Sequence, residues 1–450
     1  MPLRFYLIFI TTLVACTELT AYRVVLDPGH GGRDILPVSA YGDKWDPLRG
    51  EYLDRFREGA RCQGVWELEA MYDIAQRAKV LIELTHTREG QAQFKQILAR
   101  YTDNPPEIIQ SIEVFLSRDE NYTELYSTNR DDLNAPYRLF DYPDQKTGTM
   151  KPGTISRINA LKPELVVTLH LTHTESPASG AMATVITPGF QTYDLARQFV
   201  RASGTERRRV QQRFSKTPYA QWFISDDRYR LFNSFMADAF IYFIGYWSKP
   251  DGVHVDFTRY RGYRHNLLNW SYADSFESML ALNGKPNERY AHNLSEFEPL
   301  GSFWVREQSD PENWRRENGE EGFGGDNHYA GTEILRYTRQ AFLVNGADSY
   351  KTLPKILRPY ISTWAIPTYI NAISAYLELA HTTSRRDYHR MAHERHIYAE
   401  AVAVGVYSLF YGLESKSSNQ GKNFPKGKAV NWGRYENFSG SNYFKQVTAH

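Results

Sequence analysis

At 450 residues with 42% hydrophobic content the chain can bury one large core or two, and a formal net charge of +1 gives it no bulk attraction toward nucleic acid. Its two cysteines, Cys16 and Cys62, exclude a disulfide framework as a substitute for a core. Aromatic residues make up 14% of the chain, which suits either a densely packed interior or a surface that stacks on sugars.

The first residues read as a targeting segment. Arg4 supplies a positive charge, residues 5–14 form an apolar run too short to span a bilayer, and Leu13-Val14-Ala15-Cys16 follows. That tetrad resembles a bacterial lipobox, which implies lipidation of Cys16 and a membrane tether. An ordinary cleaved signal ending near Ala21 is the alternative. Either way the chain is expected to be exported, to the periplasm or cell envelope.

Residues 24–26, Val-Val-Leu, predict a buried strand that Pro28, Gly29, Gly31 and Gly32 stop abruptly, so the backbone turns closely around His30. Residues 35–64 lack periodicity and read as a long loop. Residues 65–84 predict a helix, with Met71, Ile74, Ala75, Ala78, Leu81 and Ile82 at three- and four-residue spacing and Glu67 in the first turn. A carboxylate there also suits the helix dipole. A second strand is expected at 112–116, a helix at 155–161, and the clearest strand at 165–169, with His170 directly at its end. A parallel pairing of the first and third strands would bring His30 and His170 to one rim of a sheet.

A further strand is expected at 183–187 and a helix at 193–203. From 204 to 353 the pattern changes, and we read an insertion. It holds basic Arg207-Arg208-Arg209, read as a solvated helix face, and an apolar helical run at 231–247. That run is expected to gate the site, to join Trp222, Trp247 or Trp270 in a sugar-binding face, or to pack outside the sheet. Residues 375–379 predict a strand that carries Glu378, whose carboxylate must reach solvent or face a cation. A buried helix is expected at 397–410 and a loosely ordered polar tail at 415–450. His389, His393 and His396 form a competing set of metal donors at helical spacing, but Arg385, Arg386, Arg390 and Arg395 around them would repel a cation.

Taken in order, these features resemble the zinc-dependent N-acetylmuramoyl-L-alanine amidases of bacterial cell-wall turnover. Val25-Leu26-Asp27-Pro28-Gly29-His30-Gly31-Gly32 looks like that family's signature turn, and Glu67 takes the place of its glutamate ligand. Ser117-Arg118 is similar to its threonine-arginine strand end, and Arg157-Ile158-Asn159 to its arginine-asparagine helix. Val167-Thr168-Leu169-His170-Leu171-Thr172 resembles its serine-x-histidine-alanine-asparagine motif with Leu171-Thr172 replacing the last pair, and Glu378 falls on its catalytic glutamate. After Glu378 the chain departs from the family, with Leu379-Ala380-His381 where a glycine-phenylalanine pair is usual.

The resemblance implies an α/β fold, a twisted mostly parallel sheet flanked by helices; the large, mainly helical insertion read from residues 204–353 has no counterpart in that family. It implies Zn2+ held by His30, Glu67 and His170, Glu378 as general base, and peptidoglycan as substrate, with an activator protein as a partner. Two imidazoles and a carboxylate leave one zinc position open for water, as a hydrolase requires. The expected division is a targeting segment at 1–21, catalytic parts at 22–203 and 354–414, the insertion at 204–353 and the tail. The rival readings are a peptidoglycan-binding protein that keeps the fold without turnover, and a zinc peptidase or deacylase acting on another amide.

Overall fold

The computed structural model describes residues 21–43, 45–46, 51–52, 55–56, 58–62, 64–119, 134–139, 141–186, 204–215, 246–248, 254–256, 325–357, 359–361, 366–368, 370, 372–416, 421 and 423–432. Among the described residues seven strands make one sheet: β1 (Tyr22–Pro28), β2 (Ile112–Leu116), β3 (Leu165–Thr172), β4 (Ala181–Ile186), β5 (Lys355–Ile356), β6 (Tyr360–Ile361) and β7 (Ile373–His381). Their order across the sheet is β5-β4-β7-β3-β1-β2, and β6 also pairs with β4. All pairings are parallel except that of β4 with β7. The mostly parallel sheet expected from sequence is therefore present.

The central strands are apolar without alternation because both faces are covered. Val24, Leu26, Val167, Leu169, Ala375 and Leu377 point into the larger core. Three helices close that face: α1 (Glu67–Glu83), α3 (Gly325–Val344) and α5 (Arg395–Tyr411). Helix α5 is buried almost all round, since it lies between the other two, and its sequence is accordingly apolar on every side. The opposite face carries a smaller core in which Val25 and Val166 meet Ile155 and Ile158 of α2 (Thr154–Ala160).

Several segments read differently from the sequence. Strand β3 runs on to Thr172, so His170 sits within the strand near its carboxyl end. Helix α3 lies inside the stretch 204–353 that the sequence suggests as an insertion, yet Ala330, Ile334, Tyr337, Ala341 and Phe342 belong to the main core. The stretch after Ser415 is polar by composition, but Val430 and Trp432 return to that core, where the Trp432 indole N–H donates to the Leu409 carbonyl at 2.9 Å. Hydrogen bonds hold the segment as well: the Gly427 N–H donates to Glu333 Oε1 at 2.7 Å and the Val430 N–H to the Leu409 carbonyl at 2.9 Å.

The helix expected at 193–203 lies outside the described residues. So does most of the one expected at 231–247, whose final residues fall in a short antiparallel pair, Tyr246–Ser248 with His254–Asp256. A helix at Gly204–Ser215 is described. Among the described residues no helix is long and apolar enough to cross a membrane. Cys16 lies outside them.

Candidate metal centre

The site forms where β1, β3 and β7 end on one rim, in the position where open α/β sheets collect ligands. Strand β1 stops at Pro28, and His30 follows in a left-handed backbone conformation (φ 59°) that non-glycine residues seldom adopt. Two neighbouring glycines let the turn approach so closely. The Gly29 N–H donates to Leu169 at 2.8 Å, and a side chain on Gly29 would meet the His170 ring at 2.3 Å. Gly31, at φ 133°, lies flat against the ring of Tyr137.

Glu67 is the first residue of α1, where the helix dipole favours its charge. Its carboxylate is almost wholly buried and is fixed from two sides: Oε1 accepts the Leu171 N–H at 2.7 Å, and Oε2 accepts the Ala60 N–H. The Glu67 N–H in turn donates to the Ala60 carbonyl at 3.0 Å, so the chain at Gly59-Ala60 clamps both ends of this residue. Gly59 has φ 83°, and a side chain there would stand 2.7 Å from Glu67 Oε2 and 3.0 Å from the His30 ring.

His170 completes the group. Its Nδ1 lies 3.0 Å from Glu67 Oε1, and its ring stacks on Tyr376 of β7 at 4.5 Å and meets the His30 ring edge-on at 4.7 Å. His30 Nε2 is 3.6 Å from the same carboxylate oxygen. One donor atom from each of the three residues lies within 4.8 Å of the others, and among the described residues no other group of this kind occurs. A tetrahedral zinc with bonds of about 2.0–2.1 Å needs donors roughly 3.4 Å apart, so these residues fit such an ion, and two imidazoles with a carboxylate are a donor set it accepts. His389 and His393 of α4 (Arg385–His393) also come together, at 4.8 Å between rings, with Glu394 Oε1 3.9 Å from His389 Nε2, but among the described residues only His30, Glu67 and His170 bring three donors together closely enough for a metal.

Glu378 stands on β7 in register with His170 on β3. Its Oε2 is buried and has no hydrogen-bond partner among the described residues. Burial raises this carboxyl to about 7; His170 pulls it down and Glu67 pushes it further up. Burial also pushes Glu67 up, but His30, His170 and the Ala60 N–H outweigh it and hold Glu67 at about 2. For His170 burial acts downward, and the hydrogen bond and charge of Glu67 more than reverse it, leaving the imidazole raised. Two neighbouring carboxyls are thus pushed apart, Glu67 toward the ionised form that a cation ligand needs and Glu378 upward by burial.

The structure therefore gathers His30, Glu67 and His170 and sets Glu378 beside them. Sequence reasoning missed the supports: Tyr376 under His170, the Gly59-Ala60 clamp and the Leu171 N–H. Alternation along β7 places Tyr376 on the side of Glu378, a signal available in the sequence; the Gly59 clamp sits in aperiodic chain and gave none.

No protein-family model and no curated protein matches the sequence. Solved structures that do match the chain include N-acetylmuramoyl-L-alanine amidases. Ami1 from Mycobacterium smegmatis aligns at 10% identity over 86% of this chain and 94% of its own, with a TM-score of 0.33. AmiC2 of Nostoc punctiforme aligns at 10% identity over 86% and 94%, TM-score 0.31, and an amidase from Clostridium difficile at 10% over 86% and 96%, TM-score 0.29. At such scores the likeness decides nothing about this chain; the fold and the site stand on the strands and side chains described above.

Proposed function

We propose that the chain is a zinc-dependent amidase that hydrolyses the bond between the lactyl group of N-acetylmuramic acid and L-alanine in peptidoglycan. One observation carries the reading: His30, Glu67 and His170 converge on a volume fit for a single cation, with Glu378 in register beside His170. The substrate comes from the resemblance of the sequence motifs around those residues.

When bound, a zinc ion there supplies Lewis acidity and brings the pKa of a water toward about 7. The remaining steps belong to the chain. Glu378 accepts the proton of the attacking water and delivers it to the amide nitrogen. As the C–N bond breaks, the water oxygen stays on the lactyl carbonyl carbon and the amine of L-alanine leaves. Glu378 Oε2 is buried without a hydrogen-bond partner among the described residues, so it is open to take up and hand on that proton. Glu67, fixed by two backbone N–H groups, keeps a set orientation throughout.

We further propose export, with Cys16 lipidated as a tether in the cell envelope, and an activator protein as partner. The proposed division keeps 22–203 and 354–414 as catalytic parts, with α3 counted among their helices and the insertion lying before it.

Metal analysis tests the ligand set. The purified chain is expected to hold about one zinc, and His30→Ala, Glu67→Ala and His170→Ala each to lose it. Zinc retained at the wild-type level in His170→Ala would refute the assignment.

A further inference from the structure

The two elements that carry His30 and Glu67 are joined by one side chain from a third. Arg118 follows the carboxyl end of β2 and is 6% exposed. Its Nη2 donates to the Leu68 carbonyl at 3.0 Å, one residue beyond Glu67, and its Nε donates to the Pro28 carbonyl at 3.4 Å, two residues before His30. The guanidinium also lies between two rings. Tyr72, one turn into α1, is 4.8 Å away, and Tyr137, which rests on Gly31 beside His30, is 5.1 Å away. Both the hydrogen bonds and the ring contacts therefore run from Arg118 to the histidine turn on one side and to the glutamate helix on the other.

We propose that Arg118 is a positioning residue for the metal centre, a planar strut that sets the separation of His30 from Glu67. The inference rests on the metal reading above. The planar fork matters, because a lysine ammonium is a point charge that cannot hold the same two carbonyls and two ring faces in one fixed plane. The expected consequence is selective. Loss of the strut lets the donors drift apart and weakens the metal, whereas loss of a buried arginine elsewhere costs stability alone. Arg390 supplies the comparison: it too is buried, and it pairs with Asp348 and Asp387 rather than with either ligand-bearing element.

The test is a zinc titration of metal-free wild type, Arg118→Lys and Arg390→Lys, with thermal unfolding of each metal-free protein in parallel. Arg118→Lys is expected to raise the zinc Kd tenfold or more, the range for residues that orient ligands, while Arg390→Lys leaves the Kd unchanged at a comparable loss of Tm. Tyr137→Leu, which removes one ring face and keeps the arginine, is expected to raise the Kd severalfold and serves if Arg118→Lys does not fold. Wild-type affinity in Arg118→Lys, or in Tyr137→Leu where that variant replaces it, overturns the inference alone, as does equal weakening by Arg390→Lys. A wild-type chain that takes up no zinc overturns the metal reading and the inference with it.

Discussion

Glu378 and His170 face each other across the parallel pair β7–β3, and after Glu378 the register slips, so that His381 rather than Ala380 comes opposite Thr172. The irregularity falls directly after the carboxylate, where a bulge can re-aim side chains without disturbing the strand that delivers Glu378. It also falls where the sequence leaves the amidase pattern.

If Glu378 is the proton carrier, Glu378→Gln keeps the metal and the fold but lowers turnover by on the order of a hundredfold or more. Steady-state rates on muropeptides with parallel zinc analysis check this. An unchanged kcat in a zinc-loaded variant would move the role to another group.

The buried Glu378 carboxyl also has a signature in the metal-free chain. Its folded pKa of about 7 stands above the ordinary 4.5, so the folded state holds the proton more tightly than the unfolded state does. The stability this provides is complete below pH 4.5 and is lost as pH rises through 7. Relative to Glu378→Gln, metal-free wild type should lose up to roughly 3 kcal/mol between pH 5 and pH 8, as read by urea unfolding. Parallel stability profiles for the two proteins would mean that Glu378 is solvated.

Gly29 tests the close approach of the turn to His170. Its backbone does not need glycine, since its φ is not positive, so alanine there adds only a methyl group 2.3–2.5 Å from three His170 ring atoms. Gly29→Ala is expected to displace the imidazole and weaken zinc tenfold or more with little loss of fold. Unaltered zinc affinity would show that the ring has room to move.

How far the sequence revealed this arrangement depended on how local each signal was. The turn at His30, the helix start at Glu67 and strand β3 are written in consecutive residues, in apolar runs and glycines, and their positions follow from elementary geometry. The clamp on Glu67 was not legible, because Ala60 acts through its backbone and any residue there would look alike in sequence. Helix α3 was hidden by the aromatic and polar stretch before it, although Ala330, Ile334, Tyr337, Ala341 and Phe342 repeat at helical spacing. The return of Trp432 rests on contacts with Phe410 and with Tyr22, the latter at the other end of the chain.

That return carries its own prediction. Trp432 is 6% exposed and bonded to Leu409, so Trp432→Ala should cost about 3–5 kcal/mol in urea unfolding, the usual range for a buried tryptophan. An unchanged unfolding midpoint would make residues 423–432 a dispensable appendage.

The most direct test of the central claim is digestion of a purified muropeptide by the zinc-loaded chain, followed by mass spectrometry. The account predicts two products, the glycan with a free lactyl carboxyl on N-acetylmuramic acid and the intact stem peptide with a free L-alanine amine, and neither after zinc is removed or with Glu378→Gln. Intact muropeptide after incubation with a folded, zinc-loaded chain, or cleavage at any other bond, would contradict it.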